Sequence, residues 1–114
     1  VKKESMAIKS EADIQREICH YLEKKGYLFW RFSPETYNAK LGIHLKHRFI
    51  PSGLPDIMVV DKEQYGMLIG LEVKVPGSKG KKSPGQILMQ KRFHLNNARY
   101  EFVTSIDDVK SVGL

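Results

Sequence analysis

Two short stretches, Gly53-Leu54-Pro55-Asp56 and Gly70-Leu71-Glu72-Val73-Lys74, decide the fold and the chemistry that this sequence predicts. Asp56 stands directly before an apolar run at 57–60, and Glu72 and Lys74 interrupt a second apolar run at 67–75. Side chains at positions i and i+2 of a strand point to the same face, so Glu72 and Lys74 would project together. If the two strands are neighbours, Asp56 joins them. The result would be two carboxylates and one ammonium at one place.

Such a cluster is what a divalent-metal phosphodiesterase needs. Carboxylate oxygens hold Mg²⁺ or Mn²⁺, and the metal activates water and neutralises charge on the phosphate. A neighbouring lysine can orient the attacking water and offset developing charge. The alternative is that Glu-x-Lys forms a solvated face with a cross-strand ion pair. Charges that interrupt an otherwise buried strand need a reason, however, and this favours the metal site.

Length and composition indicate one globular domain over 1–114, with 1–9 as a polar lead-in. A chain of 114 residues with 41% hydrophobic and 28% charged residues can bury a single core. The net charge of +6 favours a polyanionic partner, although a generic basic surface would also produce it. The single cysteine, Cys19, excludes an internal disulfide and suits a reducing compartment. No apolar run reaches membrane-spanning length and no signal peptide is visible, so we expect a cytoplasmic protein without membrane contact.

Caps, turns and periodicity predict the order α-β-β-β-α-β-α. Ser10 with Asp13 begins a helix that ends at Gly26, and an aromatic strand follows at 27–32. Segment 33–54 is irregular and contains a ribbon or a long loop. Strands at 56–60 and 67–75 precede a basic loop at 76–82. A second helix begins at Ser83-Pro84, with Gln86 in a capping box, and a final strand at 100–104 leads to a helix capped by Ser105. The predicted packing face of the second helix consists of Ile87, Leu88, Phe93 and Leu95.

Four of these motifs together resemble the virus-type replication-repair nuclease (VRR-NUC) domains, a branch of the PD-(D/E)XK nucleases. They are Glu11, the 53–56 segment, Glu72-Val73-Lys74 and Ser83-Pro84-Gly85-Gln86, in that order across roughly residues 10–109. The sequence looks most like the small stand-alone phage and prophage members. The resemblance implies an α/β fold with a restriction-endonuclease-like αβββαβ core, in which helices flank a central mixed sheet.

The resemblance also implies roles for individual residues. Asp56 and Glu72 would bind Mg²⁺ or Mn²⁺, with the backbone carbonyl of Val73 completing the protein ligands. Lys74 would position or polarise the attacking water. Gln86 would reach the site from the second helix, although it could equally serve only as a helix cap. Glu11 would act through a metal-bound water; its alternative role is a favourable charge in the first helical turn, and Glu17 competes for the position.

Basic residues around this cluster form a plausible groove for phosphates. Any one of these lysines could instead serve solubility alone. Tyr37 could stack on a base or pack against the protein. A zinc site built from His20, His44, His47, His94 and Cys19 is disfavoured because their spacings match no familiar pattern. Cys19 is better explained as a small buried residue than as a nucleophile. The candidate nucleic-acid-binding residues are Arg31, Ser33, Lys46, Arg48, Lys79, Lys81 and Lys82, with His47 beside them.

The sequence therefore predicts a metal-dependent DNA endonuclease. The resemblance implies structure-selective cleavage of branched DNA, such as four-way junctions or flaps, in a phage or DNA-repair setting. Cutting both strands of a symmetric junction requires two sites related by a two-fold axis, so we expect a homodimer. Two rivals remain. One is a non-catalytic nucleic-acid-binding module, and the other is a sequence-specific restriction-type endonuclease, which would need an element that reads base edges.

Overall fold

The computed structural model describes residues 9–32, 37–38, 43–44, 49–78 and 81–114. Most of the expected polar lead-in therefore lies outside the described residues. Among the helices in these ranges, none has the length and apolar character needed to cross a bilayer. In chain order the elements are α1 (Glu11–Lys25), β1 (Leu28–Arg31), β2 (Tyr37–Asn38), β3 (Ile43–His44), β4 (Ile57–Asp61), a 3₁₀ turn (Lys62–Gln64), β5 (Met67–Val73), α2 (Pro84–Leu95), β6 (Arg99–Val103) and α3 (Ile106–Ser111).

A four-stranded mixed sheet in the order β1-β4-β5-β6 forms the centre of the fold. β4 pairs antiparallel with both β1 and β5, and α2 then connects β5 to β6, which pair in parallel. β2 and β3 form a separate antiparallel ribbon, so the irregular segment contains the ribbon rather than only a loop. The expected αβββαβ core with a mixed sheet flanked by helices is confirmed.

The helix ends follow the predicted capping chemistry. The Ser10 side chain accepts from the Asp13 backbone, while the Asp13 carboxylate accepts from the Ser10 backbone. Gly26 ends α1 in the left-handed region at φ 83°, where a side chain would be strained. Ser83 and Gln86 form the same reciprocal box at the start of α2. These local contacts fix where each helix begins and thus which residues it presents to the sheet.

Alternation along the strands divides the core into two layers. On one face, Ile69, Leu71 and Val73 of β5 belong to the larger apolar cluster with α1 and α3. On the other face, Tyr100 and Phe102 of β6 pack with Met89 of α2. Because neighbouring strand residues point to opposite faces, Glu72 lies on the face that α2 covers.

The predicted packing face of α2 is wrong in part. Ile87, Leu88 and Leu95 are 40%, 59% and 83% exposed, whereas Met89 is buried and Phe93 is half-buried. The stripe that faces the sheet also contains glutamines. One of them, Gln90, donates through Nε2 to the Tyr100 carbonyl at 2.8 Å. The face of α2 that packs on the sheet contains polar residues, and several apolar residues lie on its exposed face. The apolar pattern therefore predicted the wrong packing face in part.

β5 is shorter than predicted and ends at Val73. Lys74 lies just beyond the strand, although its backbone N–H still donates to the Val103 carbonyl at 2.9 Å. β4 is shifted by one residue and ends at Asp61, which is buried and accepts from the Glu63 backbone at 3.0 Å. Asp56 therefore lies immediately before β4, at the end of the sheet where β5 finishes.

Candidate active site

Asp56 is anchored from both neighbouring strands. Its Oδ2 accepts a hydrogen bond from the Val73 backbone N–H at 2.8 Å, and its backbone carbonyl accepts from the Phe32 N–H at 2.9 Å. The β4–β5 register pairs Ile57 with Leu71, which brings the preceding Asp56 beside Glu72. The structure thus joins Asp56 and Glu72 at one end of the sheet, as the sequence predicts.

The 53–56 segment is held tightly between β5 and the start of α2. Gly53 has φ +84°, and a Cβ there would lie 2.6 Å from the Gly85 carbonyl oxygen. A Cβ at Gly70 would lie 2.4 Å from Pro55 Cγ. Only glycine at both positions permits this approach, because real Cβ atoms do not occur at such separations. The close packing of the turn that carries Asp56 therefore depends on glycine at both Gly53 and Gly70.

Tyr100 of β6 also holds the 53–56 segment in place, and the sequence analysis did not identify it as a site residue. Its side chain is fully buried, and its hydroxyl donates to the Gly53 carbonyl at 2.9 Å. Burial raises the pKa of the Tyr100 hydroxyl, and the negative charges of Glu72 and Asp56 raise it further. The hydroxyl thus lies within the field of both carboxylates. The only sequence signal was an aromatic residue in a strand, which usually indicates packing alone.

Glu72, Lys74 and Gln86 form a hydrogen-bonded chain. Gln86 Nε2 donates to Glu72 Oε2 at 2.9 Å, and Lys74 Nζ donates to Gln86 Oε1 at 3.0 Å. Lys74 Nζ also lies 4.0 Å from Glu72 Oε2, and the side chains of the two residues are only 13% and 8% exposed. The amide of Gln86 therefore bridges the ammonium and the carboxylate and limits the movement of each.

Burial makes the paired carboxylates hard to ionise together. It raises the pKa of Glu72 to about 8, with the negative charge of Asp56 as the next cause, while Lys74 opposes the shift. Burial also raises the pKa of Asp56, and the hydrogen bond from the Val73 backbone partly offsets this effect. A divalent cation bound between the two carboxylates would reverse this preference by replacing the shared proton with positive charge.

Glu11, the first residue of α1, lies close enough to influence this pair. Its negative charge raises the pKa of both Asp56 and Glu72. Glu17 forms an ion pair with Lys9 instead, with 2.7 Å between Glu17 Oε2 and Lys9 Nζ. The placement favours Glu11 over its competitor for an outer position near the site.

The candidate nucleic-acid-binding residues are placed less completely. Arg31 is exposed, and its Nε donates to Gln15 Oε1 at 2.8 Å, which attaches it to α1. Lys81 is exposed in the loop before α2, and Lys82 Nζ lies 4.5 Å from the centroid of the Phe102 ring. Ser33, Lys46, Arg48 and Lys79 lie outside the described residues, as does His47.

The donor chemistry of the site fits a hard divalent cation. Asp56 and Glu72 offer carboxylate oxygens, and Val73, whose carbonyl is the third expected ligand, is buried beside them. Oxygen ligands of this kind suit Mg²⁺ or Mn²⁺. Within the described ranges, no group of three or more His, Cys, Asp or Glu side chains could hold a metal ion. A metal here would therefore rely on two carboxylates, a backbone carbonyl and water.

The fold is similar to that of a solved structure described as a VRR_NUC domain. The TM-score is 0.61, and the match covers 90% of this chain and 91% of that chain at 24% sequence identity. No protein-family model matches the sequence, and no curated protein does so. At this identity the likeness concerns the fold, and it confirms the fold that the four motifs predicted.

Proposed function

We propose that this chain, which has the VRR-NUC fold, is a metal-dependent endonuclease that hydrolyses phosphodiester bonds in branched DNA. The observation that carries the proposal is the cluster of Asp56, Glu72, Lys74 and Gln86 at one end of the sheet. A pure binding module gains nothing from clustered carboxylates, which repel phosphates unless a cation lies between them.

Asp56, Glu72 and the carbonyl of Val73 would hold Mg²⁺ or Mn²⁺. When bound, such an ion supplies a Lewis acid and an activated water. The protein contributes rigidity to this centre. Asp56 is fixed by the Val73 N–H at 2.8 Å, and Glu72 is fixed by the Gln86 amide at 2.9 Å. Ligands that are already in position lose little entropy when the ion arrives.

Lys74 supplies the positive charge for the reaction. Its ammonium is directed by Gln86 Oε1 at 3.0 Å and stays near Glu72, where a scissile phosphate beside the metal would come within reach. From that position it can orient the water and offset the charge that develops on the phosphate. Glu11 would serve from the outer side of the metal through a bound water, because its charge already acts on both carboxylates.

The preference for branched DNA and the homodimer belong to the same proposal. A symmetric four-way junction presents two equivalent strands, and two copies of a small domain related by a two-fold axis would present two sites. A net charge of +6 on 114 residues supports a polyanionic substrate. Flaps would be cut by the same chemistry at a single site.

The decisive experiment compares a labelled four-way junction with its matching linear duplex in Mg²⁺, Mn²⁺ or EDTA. Lys74→Ala should reduce cleavage at least about 100-fold, because it removes the charge that acts in the transition state. The matched control is Lys24→Ala, which changes an exposed lysine near the C-terminal end of α1, away from the site. Sedimentation at working concentration tests the homodimer.

Three results would contradict parts of the proposal. Binding without cutting under every metal would eliminate the enzyme and leave a DNA-binding module. Equal cutting of junction and duplex would retain the chemistry and eliminate the selectivity for branches. A monomer that cuts junctions at full rate would eliminate the homodimer.

A further inference from the structure

We propose that Trp30 and Phe32 form a stacking surface for unpaired nucleobases beside the active site. The inference rests on the proposed function and narrows its substrate to DNA that carries unpaired nucleotides close to the cleaved bond. Both rings are accessible at the end of an edge strand: Trp30 is 41% exposed and Phe32 is 40% exposed.

The strand register places these rings next to the carboxylates. β1 pairs Trp30 with Met58 and Arg31 with Ile57, and the Phe32 N–H continues the pattern by donating to the Asp56 carbonyl. Phe32 is thus the cross-strand neighbour of Asp56, and directly opposed residues share a face with their Cβ atoms roughly 5 Å apart. Trp30 lies about 7 Å further along the same face, since a strand rises ~3.3 Å per residue.

Within the ranges that the structure describes, α2 is the helix on this face of the sheet, and it leaves these rings uncovered. α2 packs against β6 at the far side of the sheet, so it does not cover β1. Leu28 lies on the same face and is 67% exposed, so apolar exposure on this edge strand is not confined to the two rings. Trp30 and Phe32 differ from Leu28 in offering flat aromatic faces and in lying nearer to Asp56.

Unpaired DNA is the occupant that matches both the rings and the charge. A strand whose phosphate lies at the Asp56–Glu72 pair and which runs along β1 brings its neighbouring bases within reach of Phe32 and Trp30. In a duplex those bases are already stacked on each other, whereas an unpaired base exposes its face to an aromatic ring. The protein carries a net charge of +6, which attracts the backbone of such a strand. A branch point supplies unstacked bases near the cut.

The chain contains a built-in probe for this surface, because Trp30 is its single tryptophan. Intrinsic fluorescence is titrated with an oligothymidylate and with a blunt duplex of equal length, at pH 7 in Ca²⁺, a hard cation that carboxylate oxygens can bind. The measurement reports binding and does not depend on cleavage. We expect strong quenching by the single strand and little by the duplex. Labelled-oligothymidylate anisotropy then gives the affinity of each variant.

Three variants separate stacking from folding. Trp30→Leu and Phe32→Leu should each weaken binding of the oligothymidylate about tenfold, whereas Trp30→Phe should retain most of the affinity. The control is Tyr65→Leu, which removes a fully exposed ring from the turn at the other end of the β4–β5 hairpin and should leave affinity unchanged. Urea unfolding checks that all variants fold.

Several outcomes would overturn the inference. One is unchanged tryptophan fluorescence at saturating oligothymidylate. Another is an equal loss of affinity in Tyr65→Leu and Trp30→Leu. A third is a fluorescence change that depends on protein concentration alone, together with a dimer in sedimentation that Trp30→Leu abolishes. That result would show that the surface is a contact between two copies of the chain. Quenching by single strands without any junction cleavage would leave the stacking surface in place and reject the nuclease.

Discussion

Replacing Glu72 with glutamine should change the pH dependence of stability in the metal-free protein. Glutamine resembles a protonated glutamate, so Glu72→Gln keeps the acceptor that Gln86 Nε2 uses at 2.9 Å but removes the ionisation. The folded protein holds the proton on Glu72 up to about pH 8, whereas the ordinary pKa of the residue is 4.5. Between these values the folded state binds more protons than the unfolded chain. The free energy of unfolding therefore falls as pH rises across this window.

The size of the effect follows from the pKa. Moving the pKa of Glu72 from 4.5 to about 8 corresponds to roughly 5 kcal/mol at 1.36 kcal/mol per pH unit. Solvent near the open side of the site and the shared proton with Asp56 reduce this figure, so we expect about 2–3 kcal/mol. Wild type should lose that much stability between pH 5 and pH 9 beyond the loss seen in Glu72→Gln. At pH 5 the two proteins should be nearly equal.

Urea unfolding in EDTA at several pH values between 5 and 9 measures this difference. Glu63→Gln is the control, since Glu63 is exposed on the 3₁₀ turn and should preserve the wild-type slope. Addition of Mg²⁺ at pH 8 should restore the free energy of unfolding of the wild type, because the ion takes the place of the proton. The free energy of unfolding of Glu72→Gln should be nearly unaffected. Parallel slopes for wild type and Glu72→Gln would refute the reasoning about the buried pair.

Two further predictions concern the support of the 53–56 segment. Gly70→Ala should lower the free energy of unfolding by about 2 kcal/mol in a thermal unfolding assay, because its Cβ would lie 2.4 Å from Pro55 Cγ. The control is Gly85→Ala on the exposed start of α2, which should leave the free energy of unfolding unchanged in the same assay. Tyr100→Phe should cost about 1 kcal/mol and weaken Mg²⁺ binding measured by calorimetry, because the Gly53 carbonyl loses its donor at 2.9 Å; full stability with unchanged Mg²⁺ affinity would show that the bond is dispensable.

The sequence was most informative where chemistry is local. Ser10, Gly26, Ser83 and Ser105 occupy the helix ends that their capping preferences predict, because each cap depends on residues within one turn. The strand that carries Glu72 was recognisable from its continuous apolar run. The end of this strand could not be predicted from its own residues. It depends on where the partner strand β6 ends, and β6 comes later in the chain.

The inner face of α2 could not be predicted because it depends on which side chains the sheet offers. Met89 and Phe93 fill space over Tyr100, and the Phe93 and Tyr100 rings meet edge to face with centroids 5.3 Å apart. Gln90 satisfies the Tyr100 carbonyl on the same stripe. An analysis of periodicity that counts only apolar residues cannot identify a polar residue such as Gln90 on the packing face. Ile87, Leu88 and Leu95 were therefore placed inside when they lie outside.

Gln86 shows how one residue can fulfil two roles that sequence reasoning treated as alternatives. As a helix cap, its Oε1 accepts from the Ser83 backbone at 3.1 Å. The same oxygen accepts from Lys74 Nζ at 3.0 Å, and Nε2 donates to Glu72 Oε2 at 2.9 Å. The amide has a donor end and an acceptor with two lone pairs, so the capping bond and both site contacts are compatible. The cap fixes the amide relative to the helix, and the amide then fixes the carboxylate and ammonium relative to each other. A glutamate at this position would preserve the capping geometry but would lose the amide donor to Glu72 and add another negative charge to those of Asp56, Glu72 and Glu11.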